Sequence, residues 1–202
     1  MARRSDHSRD ELQGMAIRAA ITILKQEGTQ GLSTRKVAAA IGYTVGTLYL
    51  VFKNLDELIL HVNAAALDEL RVLMQAELAI DKDPQAQVLA MAQTYLRFAR
   101  AQFARWSLLF SHRLPAGVAL PDWFHDKVRV LFTLVAQPLQ QINPKLTALE
   151  YQQATHVLWS SVHGVCELGL NEKLSLGGEI RAEDLIDALV KNYLKGFTQG
   201  WA

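Results

Sequence analysis

The chain has 202 residues, of which 50% are hydrophobic and 20% charged, and a formal net charge of +1. This composition is typical of a folded globular chain and excludes a disordered one. A single cysteine, Cys166, excludes an internal disulfide and a cysteine-rich zinc site. No apolar run approaches the roughly 18 residues of a membrane span. The first residues also lack the apolar stretch of a secretory signal, so we expect no membrane partner and a cytoplasmic protein.

The net charge conceals an uneven distribution along the chain. Residues 1–54 contain eight lysines and arginines but only four acidic residues, a balance of +4, which leaves −3 for the remainder. Such asymmetry is typical of a chain in which one part meets a polyanion and the other does not. A surplus of this size over so short a segment can also arise by chance, so charge alone does not decide the matter.

The spacing of apolar residues predicts helices in the first third of the chain. The first helix begins at Ser8, where Ser-Arg-Asp-Glu has the capping-box pattern, and ends at Gly28. Two short helices follow within residues 33–53. A long helix then starts at Asn54, has Glu57 in its first turn and runs to about Ala79.

The rest of the chain is also predicted to be helical, after a hinge at residues 81–84. Helices are expected over about 84–104, 106–113, 121–142, 147–171 and 182–199. The segment 128–135 resembles a strand, but it lies within a longer stretch of helical spacing and is interpreted as helix. Pro138 is expected to end or kink that helix. The predicted fold class is therefore all-α.

Residues 33–53 have the pattern of a helix-turn-helix. Ser33 caps the first short helix, Gly42 supplies the left-handed residue that ends it, and Thr44 caps the second. A three-residue turn then joins the two helices at a steep angle. The positions expected to face inward are Val37, Ala38, Ile41, Leu48 and Val51. A generic helical hairpin is the alternative, but the small Ala38, the glycine turn and the two caps together favour DNA binding.

The exposed positions of this segment carry residues that can contact double-stranded DNA. The N-terminal end of a recognition helix meets base edges in the major groove, where Thr47 and Val45 can contact a thymine methyl and Gly46 removes bulk. The remaining side chains are placed to hold phosphates. The predicted DNA-binding residues are Thr34, Arg35, Thr44, Val45, Gly46, Thr47, Tyr49 and Lys53. Arg3, Arg4 and Arg9 either form a flexible arm on the DNA or lie in a solvated terminus.

In these residues the sequence resembles the TetR/AcrR family of bacterial transcriptional regulators. The similarity covers about residues 8–60 and includes LSTRKVA at 32–38, GYTVGTLY at 42–49 and FKNLDEL at 52–58. Leu50 and Val51 depart from the polar or aromatic pair that is common in the family, so no polar DNA contact is expected of Leu50. The resemblance implies a homodimer with a three-helix DNA-binding domain and a C-terminal helical domain for an inducer. Residues 159–164 also resemble the Trp-x-x-x-His-Gly signature of one C-terminal subgroup.

The last two predicted helices have the properties of a dimer interface. The helix at 182–199 has an apolar surface too broad for one core contact, and the helix at 147–171 carries small residues that permit close approach. Two such helices from each subunit would form a two-fold symmetric four-helix interface. The predicted interface residues are Ser161, Gly164, Leu189, Tyr193 and Phe197. Packing within one chain is the alternative, but two-fold dimers are what read palindromic operators.

Aromatic residues and methionines are dense over residues 91–132. Together with two residues of a later helix they would line an apolar pocket for a small hydrophobic or aromatic ligand. The predicted ligand-binding residues are Met91, Tyr95, Phe98, Trp106, Phe110, Phe132, Trp159 and His163. For each of these residues taken singly, core packing is the alternative.

The sequence contains no recognisable catalytic or metal-binding motif. His156, His163, Cys166 and Glu167 lie along one helix, but their spacing matches no metal site. G-x-S-x-G, H-E-x-x-H and the Walker glycine loop are absent. We therefore predict no metal, no cofactor and no enzyme activity.

The sequence thus predicts two domains with different roles. A helix-turn-helix domain at 1–54 is linked through the helix at 54–79 to a larger ligand-binding and dimerisation domain within 55–202. The predicted function is a homodimeric repressor that a ligand releases from a palindromic double-stranded DNA operator. An architectural or activating DNA-binding protein without a ligand is one alternative, and a helical enzyme is another.

Overall fold

The protein is described by a computed structural model that covers residues 7–80, 83–174 and 180–199. Within these ranges the structure contains helices and no strand, as predicted, and none of these helices is long and apolar enough to cross a membrane. In chain order the helices are α1 (Arg9–Gly31), α2 (Thr34–Ala40), α3 (Val45–Leu48), α4 (Leu55–Ile80), α5 (Pro84–Ala101), α6 (Phe103–Ser111), α7 (Asp122–Ile142), α8 (Ala148–Leu170) and α9 (Ala182–Gln199).

Local capping interactions explain where several helices begin. The capping box of α1 is present, since Ser8 Oγ accepts from the Glu11 amide and the Glu11 carboxylate accepts from the Ser8 amide. Asn54 Oδ1 accepts from the Glu57 amide at 2.9 Å at the start of α4. Asp83 caps α5, whereas Asp81 and Lys82 of the predicted hinge lie outside the described residues.

Gly28 and Pro138 differ in their effect on the helix that contains them. Gly28 has a φ of 68° and interrupts the regular helix at the predicted position, but residues 29–31 return to helical geometry and extend α1 to Gly31. Helix α7 continues through Pro138 to Ile142, so the proline does not end it. A proline removes its own amide hydrogen bond and crowds the carbonyl four residues earlier. The last turn nevertheless continues, since Leu139 is buried and its carbonyl accepts from the Asn143 amide at 3.0 Å.

The chain forms two compact units. The first unit runs through Ala66 and includes Ala104–Phe124, and the second comprises Leu67–Phe103 and the chain from His125 onward. Helices α4 and α7 therefore contribute residues to both units, as does α6 through its first residue, Phe103. The core of the first unit joins α1, α2 and α3 to the beginning of α4 through Leu24, Val37, Leu48 and Leu58. In the second unit, α9 packs against α5 and α8.

Candidate nucleic-acid interface and interior cavity

Helices α2 and α3 are joined by the predicted turn. Ser33 Oγ accepts from the Lys36 amide at 3.3 Å, and Thr44 Oγ1 accepts from the Thr47 amide at 3.2 Å. Gly42 has a φ of 74°, and the Tyr43 amide donates to the Ala38 carbonyl at 2.9 Å. The regular part of α3 is short, but backbone hydrogen bonds of helical type continue from Val45 to Phe52.

Burial orients the two helices. Val37, Ala38, Leu48 and Val51 are buried and Ile41 is half-buried, all on the predicted inward side. Because α2 packs against both α1 and α3, this side is occupied by the core of the first unit. The opposite side of both helices is consequently left to solvent.

The predicted DNA-contacting residues occupy that solvent side to different degrees. The exposed ones are Arg35, Thr44, Gly46, Tyr49 and Lys53, and the half-buried ones are Thr34, Val45 and Thr47. Thr44 and Thr47 hydroxyls lie 3.0 Å apart, so the cap also orients the Thr47 side chain. The large apolar side chain of Leu50 is 69% exposed beside Tyr49, so the solvent side also presents an apolar group.

The cations of this surface differ in their partners. Lys36 forms an ion pair with Glu27. Within the described parts of the chain, neither Arg35 nor Lys53 has a carboxylate within 4.0 Å of its cationic group. The two unpaired cations are therefore available to phosphate groups without the loss of an existing pair. Of the predicted arm, Arg9 is exposed, whereas Arg3 and Arg4 lie outside the described residues.

The segment ahead of α1 contacts the helix-turn-helix turn. The His7 ring nitrogen Nδ1 and the Tyr43 hydroxyl lie 2.7 Å apart, and the two rings meet edge to face at 6.1 Å. The two residues are 36 positions apart, so no local sequence signal could have revealed this contact. It positions Tyr43, the middle residue of the three-residue turn between α2 and α3.

The second unit contains a small apolar cavity of about 30 Å³ that is partly open to solvent. The residues that line it are Met74, Val88, Met91, Ala92, Tyr95, Val135, Leu158, Trp159 and Val162. Three of the eight predicted ligand-binding residues, Met91, Tyr95 and Trp159, are among them. A cavity of this size holds about one water molecule, so a ligand requires the side chains to move.

Aromatic rings continue from the cavity wall toward the surface. Trp159 stacks on His163 with ring centroids 5.3 Å apart, and it meets Phe132 edge to face at 5.5 Å. Phe132 in turn stacks on the exposed His156 at 4.3 Å. The Tyr95 hydroxyl and His163 Nδ1 lie 2.9 Å apart. Burial lowers the pKa of His163, against a smaller opposing effect of Glu167, so this imidazole is neutral at neutral pH.

The other predicted ligand-binding residues lie away from the cavity lining. Phe98 is buried in the second unit but does not line the cavity. Trp106 and Phe110 belong to the first unit, where their rings pack edge to face at 5.5 Å. Trp106 and Phe110 are therefore not part of the compact unit that contains the cavity.

Most of the predicted interface residues are accessible on α8 and α9. Ser161, Gly164, Leu189 and Tyr193 are half-buried. A side-chain carbon added at Gly164 would meet no atom within 4 Å, so the chain leaves open space there. Phe197 differs from the prediction, since it is only 1% exposed and packs in the core of its own chain, stacked on Tyr193 at 5.9 Å.

The remaining reactive groups are structural. Cys166 is buried, and burial raises the pKa of its thiol to about 12, which leaves it protonated and unreactive. Burial also raises the pKa of Tyr193, whose hydroxyl donates to the Ala154 carbonyl at 2.8 Å. In the described residues, no three histidine, cysteine or acidic side chains come together in a group that could hold a metal.

Two family models match the chain. Residues 16–62 match the model for bacterial regulatory proteins of the tetR family, and residues 88–193 match the model for a tetracyclin repressor-like C-terminal domain. No curated protein sequence matches. The subgroup suggested by Trp159, His163 and Gly164 stays a prediction.

Solved structures share the fold at low sequence identity. A protein of unknown function from Rhodococcus sp. RHA1 has a TM-score of 0.77 at 17% identity, over 96% of this chain and 98% of its own. A TetR-family transcriptional regulator from Streptomyces coelicolor has a TM-score of 0.68 at 17% identity, over 91% and 98%. RolR, solved in complex with the ligand resorcinol, has a TM-score of 0.66 at 16% identity, over 93% of this chain and 87% of its own.

Proposed function

This chain belongs to the TetR family of bacterial regulatory proteins, and we propose that it is a homodimeric repressor that a small hydrophobic ligand releases from operator DNA. It is a transcriptional regulator with a helix-turn-helix DNA-binding domain. The observation that carries the proposal is the capped α2–turn–α3 segment. Its inner side is buried, and its outer side presents Arg35, Tyr49 and Lys53.

The outer side of the α2–turn–α3 segment supports a specific assignment of DNA contacts. The N-terminal end of α3 enters the major groove, where Val45, Thr47 and Leu50 provide methyl groups for thymine and a hydroxyl for base edges. Arg35 and Lys53 hold phosphates on either side of the groove, and Tyr49 supports them. The cost of placing these cations on DNA is low because neither gives up an ion pair among the described residues.

A homodimer would read both halves of a palindromic operator. Val157, Ser161, Gly164 and Leu168 follow one another at intervals of four, three and four residues, so they form one stripe on α8. Val157 and Leu168 are 47% and 48% exposed, and the open space at Gly164 lets a partner helix approach closely. Leu189 and Tyr193 of α9 extend this surface, whereas Phe197 supports it from inside the chain.

The ligand would act through a helix that contributes to both units. The apolar cavity lies in the second unit beside Met74 of α4, and the beginning of α4 is part of the first unit. A ligand that displaces α4 changes the spacing of the two recognition helices, so both half-sites can no longer be contacted together. The RolR structure contains a ligand, resorcinol, which supports the same kind of response here.

A second candidate is a DNA-binding activator or architectural protein that has no small-molecule ligand. The observation that favours it is the size of the cavity, about 30 Å³, which is far below the space that a drug-sized ligand needs. The two candidates differ in one measurement, because only a ligand-responsive repressor loses DNA when a compound binds.

A mobility-shift experiment with the DNA upstream of the gene tests the proposal. We expect a shift that survives an excess of unrelated duplex, and a footprint with two-fold symmetry. The variant Tyr49→Phe combined with Lys53→Ala should bind more weakly and with a smaller salt dependence. Absence of any sequence-preferring shift at low salt would contradict the proposal, and a shift that no compound reverses would favour the second candidate.

A further inference from the structure

The first unit contains a cavity of its own, with a volume of about 250 Å³, that is partly open to solvent. One wall is formed by residues 53–60, where the helix-turn-helix ends and α4 begins. The other wall is formed by residues 114–123, between α6 and the first turn of α7. Drug-sized ligands occupy somewhat larger sites, so the cavity suits a small organic molecule.

The wall between α6 and α7 has a defined conformation. The Val118 amide donates to the Pro115 carbonyl at 3.0 Å, and Gly117 has a φ of 82°, so these residues form a tight turn with glycine at its left-handed position. The Phe124 amide donates to the Pro121 carbonyl at 2.9 Å, where α7 begins. Two hydrogen bonds and two prolines therefore shape this wall before any ligand binds.

The lining carries an excess of negative charge. Asp56 and Glu57 lie in the first turn of α4, and Lys53 contributes one positive charge, which gives a formal balance of −1. The wall at 114–123 adds no charged side chain to the lining. Lys53 does not neutralise the two carboxylates, since neither lies within 4.0 Å of its ammonium group. A cation in the cavity would meet opposite charge, whereas a phosphate or carboxylate would be repelled.

Each of the two carboxylates has one oxygen engaged within the protein. Glu57 Oε2 accepts from the Lys53 amide, and Asp56 Oδ1 lies 3.3 Å from Nε2 of His112. Within the described parts of the chain, no hydrogen bond or ion pair uses Glu57 Oε1 or Asp56 Oδ2. An ammonium group has only donors, so it can bind these two oxygens without displacing an existing contact.

Most of the remaining lining is apolar. Leu60 of α4 faces the cavity from one wall, and Leu114, Val118 and Trp123 do so from the other. Val118 is 55% exposed and Trp123 is 37% exposed, so a ligand that covers them removes apolar surface from water. The indole of Trp123 is held in place by stacking on His61, with ring centroids 4.9 Å apart.

We propose that this cavity is a binding site for a small organic cation. The ammonium group of the ligand binds Asp56 and Glu57, and a short apolar body packs against Leu60, Val118 and Trp123. The site lies in the DNA-binding unit itself, and it is separate from the apolar cavity of the second unit in both place and ligand class.

Three probes of similar size separate the contribution of charge from that of apolar burial. At neutral pH, benzylamine is a cation, benzyl alcohol is uncharged and benzoate is an anion. We expect benzylamine to bind in the millimolar range and benzyl alcohol about tenfold more weakly, because two partly exposed charge contacts are lost. Benzoate should not bind measurably. Equal binding of benzylamine and benzyl alcohol would overturn the proposal.

A charge-removing double variant tests the two carboxylates. Asp56→Asn combined with Glu57→Gln keeps the shape of both side chains, and glutamine can retain the capping contact of Glu57. Benzylamine should then bind about tenfold more weakly, as benzyl alcohol does. The matched control is Asp10→Asn combined with Glu11→Gln, which removes the same acidic pair from the first turn of α1. An equal loss in this control would assign the effect to net charge and overturn the proposal.

Trp123 reports where the probe binds in the protein with both carboxylates intact. The chain has four tryptophans, so labelling with 5-fluorotryptophan yields a small set of fluorine resonances, which Trp123→Phe and Trp159→Phe assign. Saturating benzylamine should move the Trp123 resonance most. A larger movement of the Trp159 resonance would place the cation in the second unit and contradict the proposal.

These measurements need no DNA, so they are independent of the proposed function. If benzylamine binds as expected and no operator is found, the cation site stands while the repressor proposal fails. If the upstream DNA is bound and benzylamine is not, the cation site is wrong and the DNA-binding regulator stands.

Discussion

Arg35 and Lys36 are adjacent cations on α2 that should behave differently on DNA. Both are exposed, but Lys36 is paired with Glu27, whereas Arg35 has no carboxylate partner in the described part of the chain. We therefore expect Arg35→Gln to remove a phosphate contact and to leave stability within about 0.5 kcal/mol of the parent. Lys36→Gln should instead cost up to about 1 kcal/mol of stability through the lost surface pair and change DNA binding little.

The size of the effect follows from counterion release. Each phosphate contact contributes about 0.9 to the slope of the logarithm of affinity against the logarithm of salt concentration. A two-fold dimer loses two such contacts in Arg35→Gln, so its slope should fall by about 1.8. Between about 50 and 200 mM salt, the affinity ratio of the parent to the variant should then shrink by about 12-fold.

Fluorescence anisotropy with a labelled duplex at several salt concentrations measures this slope. Because the electrostatic contribution does not depend on sequence, an unrelated duplex serves as well as an operator for this purpose. Chemical denaturation of both variants provides the stability comparison. Equal slopes for the parent and Arg35→Gln, or an equal loss of slope in Lys36→Gln, would refute the assignment of Arg35 to phosphate binding.

Three further predictions concern the turn, the dimer and the buried histidine. Gly42→Ala should destabilise the chain by about 1–2 kcal/mol, because φ is 74°, where a side chain strains the backbone. An added carbon meets no atom within 4 Å, so no clash adds to this cost, and an unchanged denaturation midpoint would contradict the prediction. Gly164→Leu should convert a dimer to monomers in sedimentation experiments while Gly164→Ala does not, and a dimeric leucine variant would place the interface elsewhere. The pKa of His163 is lowered, so its contribution to stability is fully present above its ordinary value of 6.5 and is lost as the pH falls through the lowered value. His163→Gln should reduce the change of the denaturation midpoint with pH below 6.5. An unchanged pH profile would assign this dependence to another group.

The sequence by itself predicted the helices and the helix-turn-helix because the interactions that specify them are local. The caps of Ser8, Ser33 and Thr44 each join groups three residues apart, and Gly42 adopts its conformation within a single residue. The inward side of α2 and α3 follows from the same helical period. These features depend on neighbours along the chain, so they could be predicted without knowledge of tertiary packing.

Tertiary structure alone decided which distant groups meet. It brought His7 to Tyr43, divided the aromatic residues between two units and placed Phe197 inside its own chain. It also left a cavity of only about 30 Å³ beside Trp159. An apolar side chain has the same sequence signature in a core, a pocket wall or an interface. Only the packing of helices far apart in the chain determines which of these three environments surrounds it.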